Sequence, residues 1–126
     1  MPNHDSDTAE ALRQLRRWKQ SVTPNGEPDP DLDESLDTLA GANPRAMLAA
    51  IVALLDEQLE QDVIAPLAAG PLEDLLGAHG DALIEEVEKL SKEHPPFRHA
   101  LGGLWQNNMS DAVWERVLSA GPDQRW

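Results

Sequence analysis

The 126-residue chain contains no cysteine and no tyrosine, and its aromatic residues are one phenylalanine and four tryptophans. Without cysteine it has neither a disulfide framework nor a cysteine–zinc site. Basic side chains are also few, 10 against 23 acidic, for a formal charge of -13 and a pI ≈ 4.4. That balance excludes a nucleic-acid binder that works by neutralising phosphates. The longest unbroken apolar run is Ala46 to Leu55, AMLAAIVALL, about half of the roughly 20 residues that a membrane-spanning helix needs. The opening Met1-Pro2-Asn3-His4-Asp5-Ser6-Asp7 has no basic region followed by an apolar one, so no leader is expected. The expected location is cytoplasmic, with no membrane partner. Threonine and isoleucine are scarce, and no stretch alternates apolar and polar residues as a half-buried strand does.

What is present points to helices. Hydrophobic residues make up 40% of the chain, with alanine and leucine dominant. A chain of this length buries about two thirds of its unfolded surface. One domain spanning residues 1–126 is therefore expected, with residues 1–6 disordered and a turn-rich linker at 23–28. The fold class is all-α, a compact bundle of six or seven short helices, with stacked helical hairpins as a variant arrangement.

The local signals divide the chain as follows. A first helix is expected over Thr8 to Val22, capped by Asp7 with Glu10 three residues on. Leu12, Leu15, Trp18 and Val22 form its stripe, and Arg13, Arg16, Arg17 and Lys19 its basic side. Asp29-Pro30 and Asn43-Pro44 each read as a cap followed by proline at the first helical position. Gly41 should stop the helix between them. The helix after Asn43 is apolar on most sides, as a central helix is, and its last turns, Asp56 to Asp62, should run into solvent. Val63 to Ala69 reads as a helical turn or a bend around Pro66. Gly70-Pro71 should open a compact helix that ends at His79-Gly80, and Asp81 should cap the next. His94-Pro95-Pro96 ends one helix and starts another, whose stripe is Phe97, Leu101, Leu104 and Trp105. Gly102-Gly103 within that stripe costs about 1 kcal/mol per glycine in a helix, which points to a break or to close approach by a neighbour. Ser110 should cap the last helix. Trp18, Trp105 and Trp114 are expected in the core. Trp126, beside Arg125, is either an interface anchor or disordered.

The stretch from Leu67 to Leu118 carries a distinctive pattern: Gly70-Pro71-Leu72-Glu73-Asp74-Leu75-Leu76, His79-Gly80, Phe97-Arg98, Leu101-Gly102-Gly103-Leu104-Trp105 and Trp114. It resembles an uncharacterised bacterial family of small all-helical proteins, a domain of unknown function. The resemblance covers about two fifths of the residues. It implies an all-α fold and marks Glu73, Asp74, His79, Arg98, Trp105 and Trp114 as motif positions. It brings no activity, cofactor or catalytic residue.

Read as chemistry, several constellations fall short. Glu73 and Asp74 precede His79 by six and five residues, not the i,i+4 spacing of helical metal sites. They read more simply as charges matching the helix ends, acids first and imidazole last, with Glu73 reaching a neighbouring backbone or Arg98. His94 and His99 flank Pro95-Pro96 and lie on two elements. Together with His79 and Glu73 they define the alternative, a metal-dependent enzyme. Asp29, Asp31 and Asp33 superficially resemble the start of a calcium loop. That loop needs glycine at its sixth position and glutamate at its twelfth, where this chain has Glu34 and Ala40. Nucleophilic catalysis finds neither cysteine nor G-x-S-x-G, and no glycine-rich phosphate loop is present. No catalytic residue, metal or cofactor is assigned.

Charge is the remaining feature. From Glu27 to Glu88 there are sixteen acidic residues and one basic, Arg45. A run of one sign is a solvated face, or it is a surface for a basic partner. The expected function is a non-catalytic acidic interaction module, in its most concrete form an antitoxin or immunity-type protein masking a basic toxin. The expected contacts are Asp29, Asp31, Asp33, Glu34, Asp37, Asp56, Glu57, Glu60 and Asp62. A homodimeric regulatory scaffold is a further alternative.

Overall fold

The computed structural model describes residues 4–22 and 30–126. Seven α-helices and no strand occur among them: α1 His4–Ser21, α2 Pro30–Ala42, α3 Pro44–Leu55, α4 Gln61–Leu67, α5 Glu73–Glu93, α6 Pro95–Leu101 and α7 Asp111–Ala120. A π-helical turn, Ala68–Leu72, joins α4 to α5. No described helix is long and apolar enough to cross a membrane. The chain divides into two compact units, Met1–Val63 and Ile64–Trp126.

In the first unit α1 packs on α2 and α3, and α2 packs on α3. Ala11, Leu15 and Trp18 of α1 are buried, spaced by four and three residues as one helix face requires. They meet a core supplied by Leu32 and Leu36 of α2 and by Met47, Leu48, Ile51, Leu54 and Leu55 of α3. Leu12 and Val22, expected in the stripe, are only half-buried. Helix α3 starts as its sequence dictates. The Asn43 side chain accepts a hydrogen bond from the Ala46 amide at 3.1 Å, and Pro44 occupies a position whose N–H would have no partner.

Several boundaries differ from expectation. Helix α1 begins at His4, so residues 4–6 form its first turn and Asp7 lies inside it. Asp7 instead accepts a hydrogen bond from Asn43 at 2.9 Å. Of the segment expected to be disordered, residues 1–3 lie outside the described residues, as does the 23–28 linker. Gly41 does not stop α2, which continues through Ala42. Helix α3 ends at Leu55 rather than running to Asp62. Gln58 adopts a left-handed backbone at φ 57, which breaks the helical repeat. Along one side of α3, Ala49 is exposed and Val52 and Ala53 are half-buried, so this helix is not enclosed all round.

In the second unit α5 packs on α6, α7 and the π-helical turn, and α6 packs on α7. Gly70 and Pro71 lie within that turn and do not open a separate helix. Proline has no amide hydrogen, and its ring crowds the carbonyl four residues back. The wider π turn relieves that crowding. Helix α5 then continues to Glu93 across a break in its geometry at His79, where φ is -132 and ψ is 16. The boundary expected at His79-Gly80 is therefore a kink rather than a gap.

Glycines on that helix let α7 and the segment before it approach. A Cβ on Gly80 would sit 2.9 Å from Cγ1 of Val113, and one on Gly77 would sit 3.3 Å from Cβ of Asn108. The last two helices both carry side-chain caps, of which the sequence announced that of Ser110. His94 Nδ1 accepts from the Phe97 amide at 3.1 Å, and Ser110 Oγ accepts from the Val113 amide at 3.2 Å.

Candidate functional site

The acidic residues expected to contact a partner all belong to the first unit. Asp31, Glu34 and Asp37 are exposed on α2, and Asp56, Glu57, Glu60 and Asp62 are exposed in and beside the segment that links α3 to α4. Asp29 lies outside the described residues, as does the side chain of Asp33. Asp31 and Glu34 share a shallow cleft of about 450 Å³ with Glu10, Gln14, Ser35 and Thr38. Glu10 thus joins two of the predicted acids, although its sequence context suggested a capping role. It also accepts hydrogen bonds from Arg13 and, at 3.1 Å, from Gln14.

The basic face of α1 neutralises part of this field. Arg16 donates to Glu57 at 2.9 Å across 41 residues of sequence. Both side chains remain partly exposed, and exposed pairs of this kind contribute well under 1 kcal/mol each. The pair orients Glu57 without removing its neighbours Asp56, Glu60 and Asp62 from solvent.

The motif residues belong to the second unit, where two of them are tied together. Glu73, at the start of α5, is buried at 8% exposure. Its Oε1 accepts from the Trp105 amide at 2.8 Å, and its Oε2 accepts from the Asn107 side chain at 3.1 Å. Both oxygens therefore hold the segment between α6 and α7. The expected contact of Glu73 with a neighbouring backbone is that with Trp105; its spacing did not name the partners, which lie 32 and 34 residues away.

Trp105 is 70% exposed, which corrects its expected place in the core. The expected stripe assumed a helix continuing through Gly102-Gly103. Helix α6 stops at Leu101, so Trp105 loses that register. Trp114 is half-buried and Trp18 is buried. The Arg125 guanidinium lies 5.7 Å from the centre of the Trp105 ring and 5.0 Å from that of Trp114. It also donates to the Leu104 carbonyl. The cation thus bridges the two motif tryptophans.

The histidines occupy three different settings. His79 is the kink in α5 and borders a shallow cavity of about 340 Å³ with Asp81, Asn108 and Ser110. His94 caps α6. The His99 ring stacks on that of Trp126, with centres 5.2 Å apart. Among the described residues no group of three or more histidine or acidic side chains is arranged to hold a metal ion. Asp74 is exposed. Arg98 reaches Asp123 at 3.7 Å and lines an open groove of about 620 Å³ with Glu88, Ser91, Lys92 and Ser119.

At the edge of that groove, Arg116 donates to Glu88 at 2.9 Å. This hydrogen bond holds the Glu88 carboxyl below its usual range and raises the Arg116 guanidinium, against a smaller opposing effect of desolvation on each.

No curated protein and no solved structure matches the chain. A family model does match, over residues 26–124, a span that takes in α2 to α7 and every motif position described above. The chain therefore belongs to the family of unknown function DUF6869.

Proposed function

We propose that this protein is a non-catalytic interaction module whose acidic first unit captures a basic protein partner. The single observation that carries this reading is the exposure of Asp31, Glu34, Asp37, Asp56, Glu57, Glu60 and Asp62 within residues 27–63, which hold ten acidic residues and one basic, Arg45. A single-sign surface accelerates encounter with an oppositely charged partner and rejects like-charged ones. In its finer form the partner is a toxin with a cationic active site, and this chain masks that site as an antitoxin or immunity-type protein does. Fast electrostatic capture would be followed by steric occlusion of the cationic site.

The test is affinity capture with the full chain, followed by binding measurements on the captured protein at about 50 to 500 mM salt, over which the screening length falls from about 14 Å to about 4 Å. The association rate should fall steeply with salt. It should also fall in an Asp31→Lys, Glu34→Lys, Asp37→Lys variant, and not in Glu85→Lys, Glu86→Lys. An association rate indifferent to salt and to the α2 reversal would overturn the proposal.

A further inference from the structure

The segment after α7 folds back over α6, and the fit is chemically specific. The indole of Trp126 lies on the Gly102-Gly103 turn. A Cβ on Gly103 would come within 2.8 Å of three carbons of that ring, and one on Gly102 would meet its pyrrole edge at 3.0 Å and Pro122 at 2.7 Å. Neither glycine has a positive φ, so their role here is to leave room for a flat ring rather than to permit an unusual backbone. The indole N–H donates to the His99 carbonyl at 2.7 Å. The His99 ring stacks on the indole at an interplanar angle of 19°. The Trp126 amide donates to the Gly102 carbonyl at 3.2 Å. Floor, stacking ring and acceptor are together a recognition site for an indole: a phenyl ring would fill the space but forgo the hydrogen bond to the His99 carbonyl, which the Gly102 amide also reaches at 3.0 Å.

The attachment is also light. Trp126 keeps 41% of its surface exposed. Asp123 is fully exposed and reaches Arg98 only at 3.7 Å. Residues 121–126 carry no helix or strand, and short irregular segments of this kind open at the low end of local free energies.

We propose that the Gly102-Gly103 turn and His99 form an indole-binding seat, filled by the chain's own Trp126, and that residues 121–126 are a releasable clasp. Withdrawal of the clasp opens the seat to a tryptophan side chain presented by a second polypeptide, and frees Arg125 from between Trp105 and Trp114. The seat lies in the second unit and does not depend on the acidic residues 31–62.

The experiment is chemical complementation of Trp126→Gly with free indole, read by thermal unfolding and by isothermal titration. Indole should bind the variant saturably and raise its melting temperature, as any ligand selective for the folded state does. 1-Methylindole, which has no N–H, should bind about fivefold more weakly, the loss expected for one hydrogen bond. Wild-type protein should bind indole at least about tenfold more weakly than the variant, because its own tail competes. In wild-type protein the Trp126 indole proton should exchange with deuterium faster than the amides of α5. A folded Trp126→Gly variant that ignores indole overturns the seat, as does equal affinity of wild type and variant. Exchange of the Trp126 proton only through global unfolding overturns release. Should Trp126→Gly not fold, Trp126→Phe serves instead. It should retain its fold, and its tail should exchange faster than that of the wild type. Unchanged tail exchange in that variant would overturn the role of the indole N–H.

Discussion

The carboxylate of Glu73 and the backbone amide of Trp105 are 2.8 Å apart. One opens α5 and the other follows α6. This contact closes the segment 102–110 against α5, and the same carboxylate secures Asn107 with its other oxygen.

Glu73→Ala should destabilise the second unit by about 1–3 kcal/mol, because the Trp105 amide and the Asn107 side chain lose their acceptors in a buried site. Glu73→Gln keeps one acceptor oxygen and should cost about 1 kcal/mol or less. Urea unfolding followed by circular dichroism separates the two. Midpoints for both Ala and Gln equal to that of the wild type would show that the carboxylate contacts do not matter.

Gly80→Ala places a methyl group 2.9 Å from Val113 Cγ1. Overpacking typically costs about 1–3 kcal/mol, offset in part by the roughly 1 kcal/mol that alanine gains over glycine in a helix. A net loss is expected, smaller in a Val113→Ala background where the clash is gone. A double-mutant cycle on unfolding free energies measures that coupling.

Asn43→Ala and Ser110→Ala each remove the side-chain acceptor at a helix start. Each should lose about 1 kcal/mol. Asn43→Ala also breaks the contact with Asp7 and should be the costlier of the two. Denaturant midpoints decide the order.

The Glu88–Arg116 pair gives a pH dependence of known sign. The folded-state carboxyl of Glu88 is depressed, so the pair's contribution is present above the ordinary glutamate range and fades as pH falls through the depressed value. Both groups face solvent, so the effect on stability is small. In a carbon-13 titration the Glu88 midpoint should lie below that of a model glutamate and rise in Arg116→Gln. A midpoint unmoved by that substitution would disprove the assignment.

The helical class and two of the caps were legible in the sequence because they depend on residues within one turn of each other. Asn43 and Ser110 each precede a helix and accept from an amide three residues on; His94 does the same, where the sequence marked only a helix boundary. His79-Gly80 correctly marked a disturbance in α5. What escaped sequence reading depends on distant partners. The burial of Glu73 requires Trp105 and Asn107. The glycines at 102 and 103 suggested close approach or a break, and both occur. Only the fold shows that the approaching group is Trp126. Trp105 was misplaced because a periodic pattern was extended past the residue at which the helix ends. Of the acidic positions, composition gave the charge and the helix boundaries gave the exposure. The joining of Glu10 to Asp31 and Glu34 needed the packing of α1 on α2.

The distribution of indoles has a practical consequence. With no tyrosine in the chain, Trp18 is the only strong near-ultraviolet emitter in the first unit, and it is 6% exposed. The other three tryptophans lie in the second unit, and Trp105 and Trp126 there are open to water. A variant keeping Trp18 alone should emit at short wavelength and report on the melting of residues up to 63. The remaining three provide a separate, red-shifted signal for the other half of the same polypeptide.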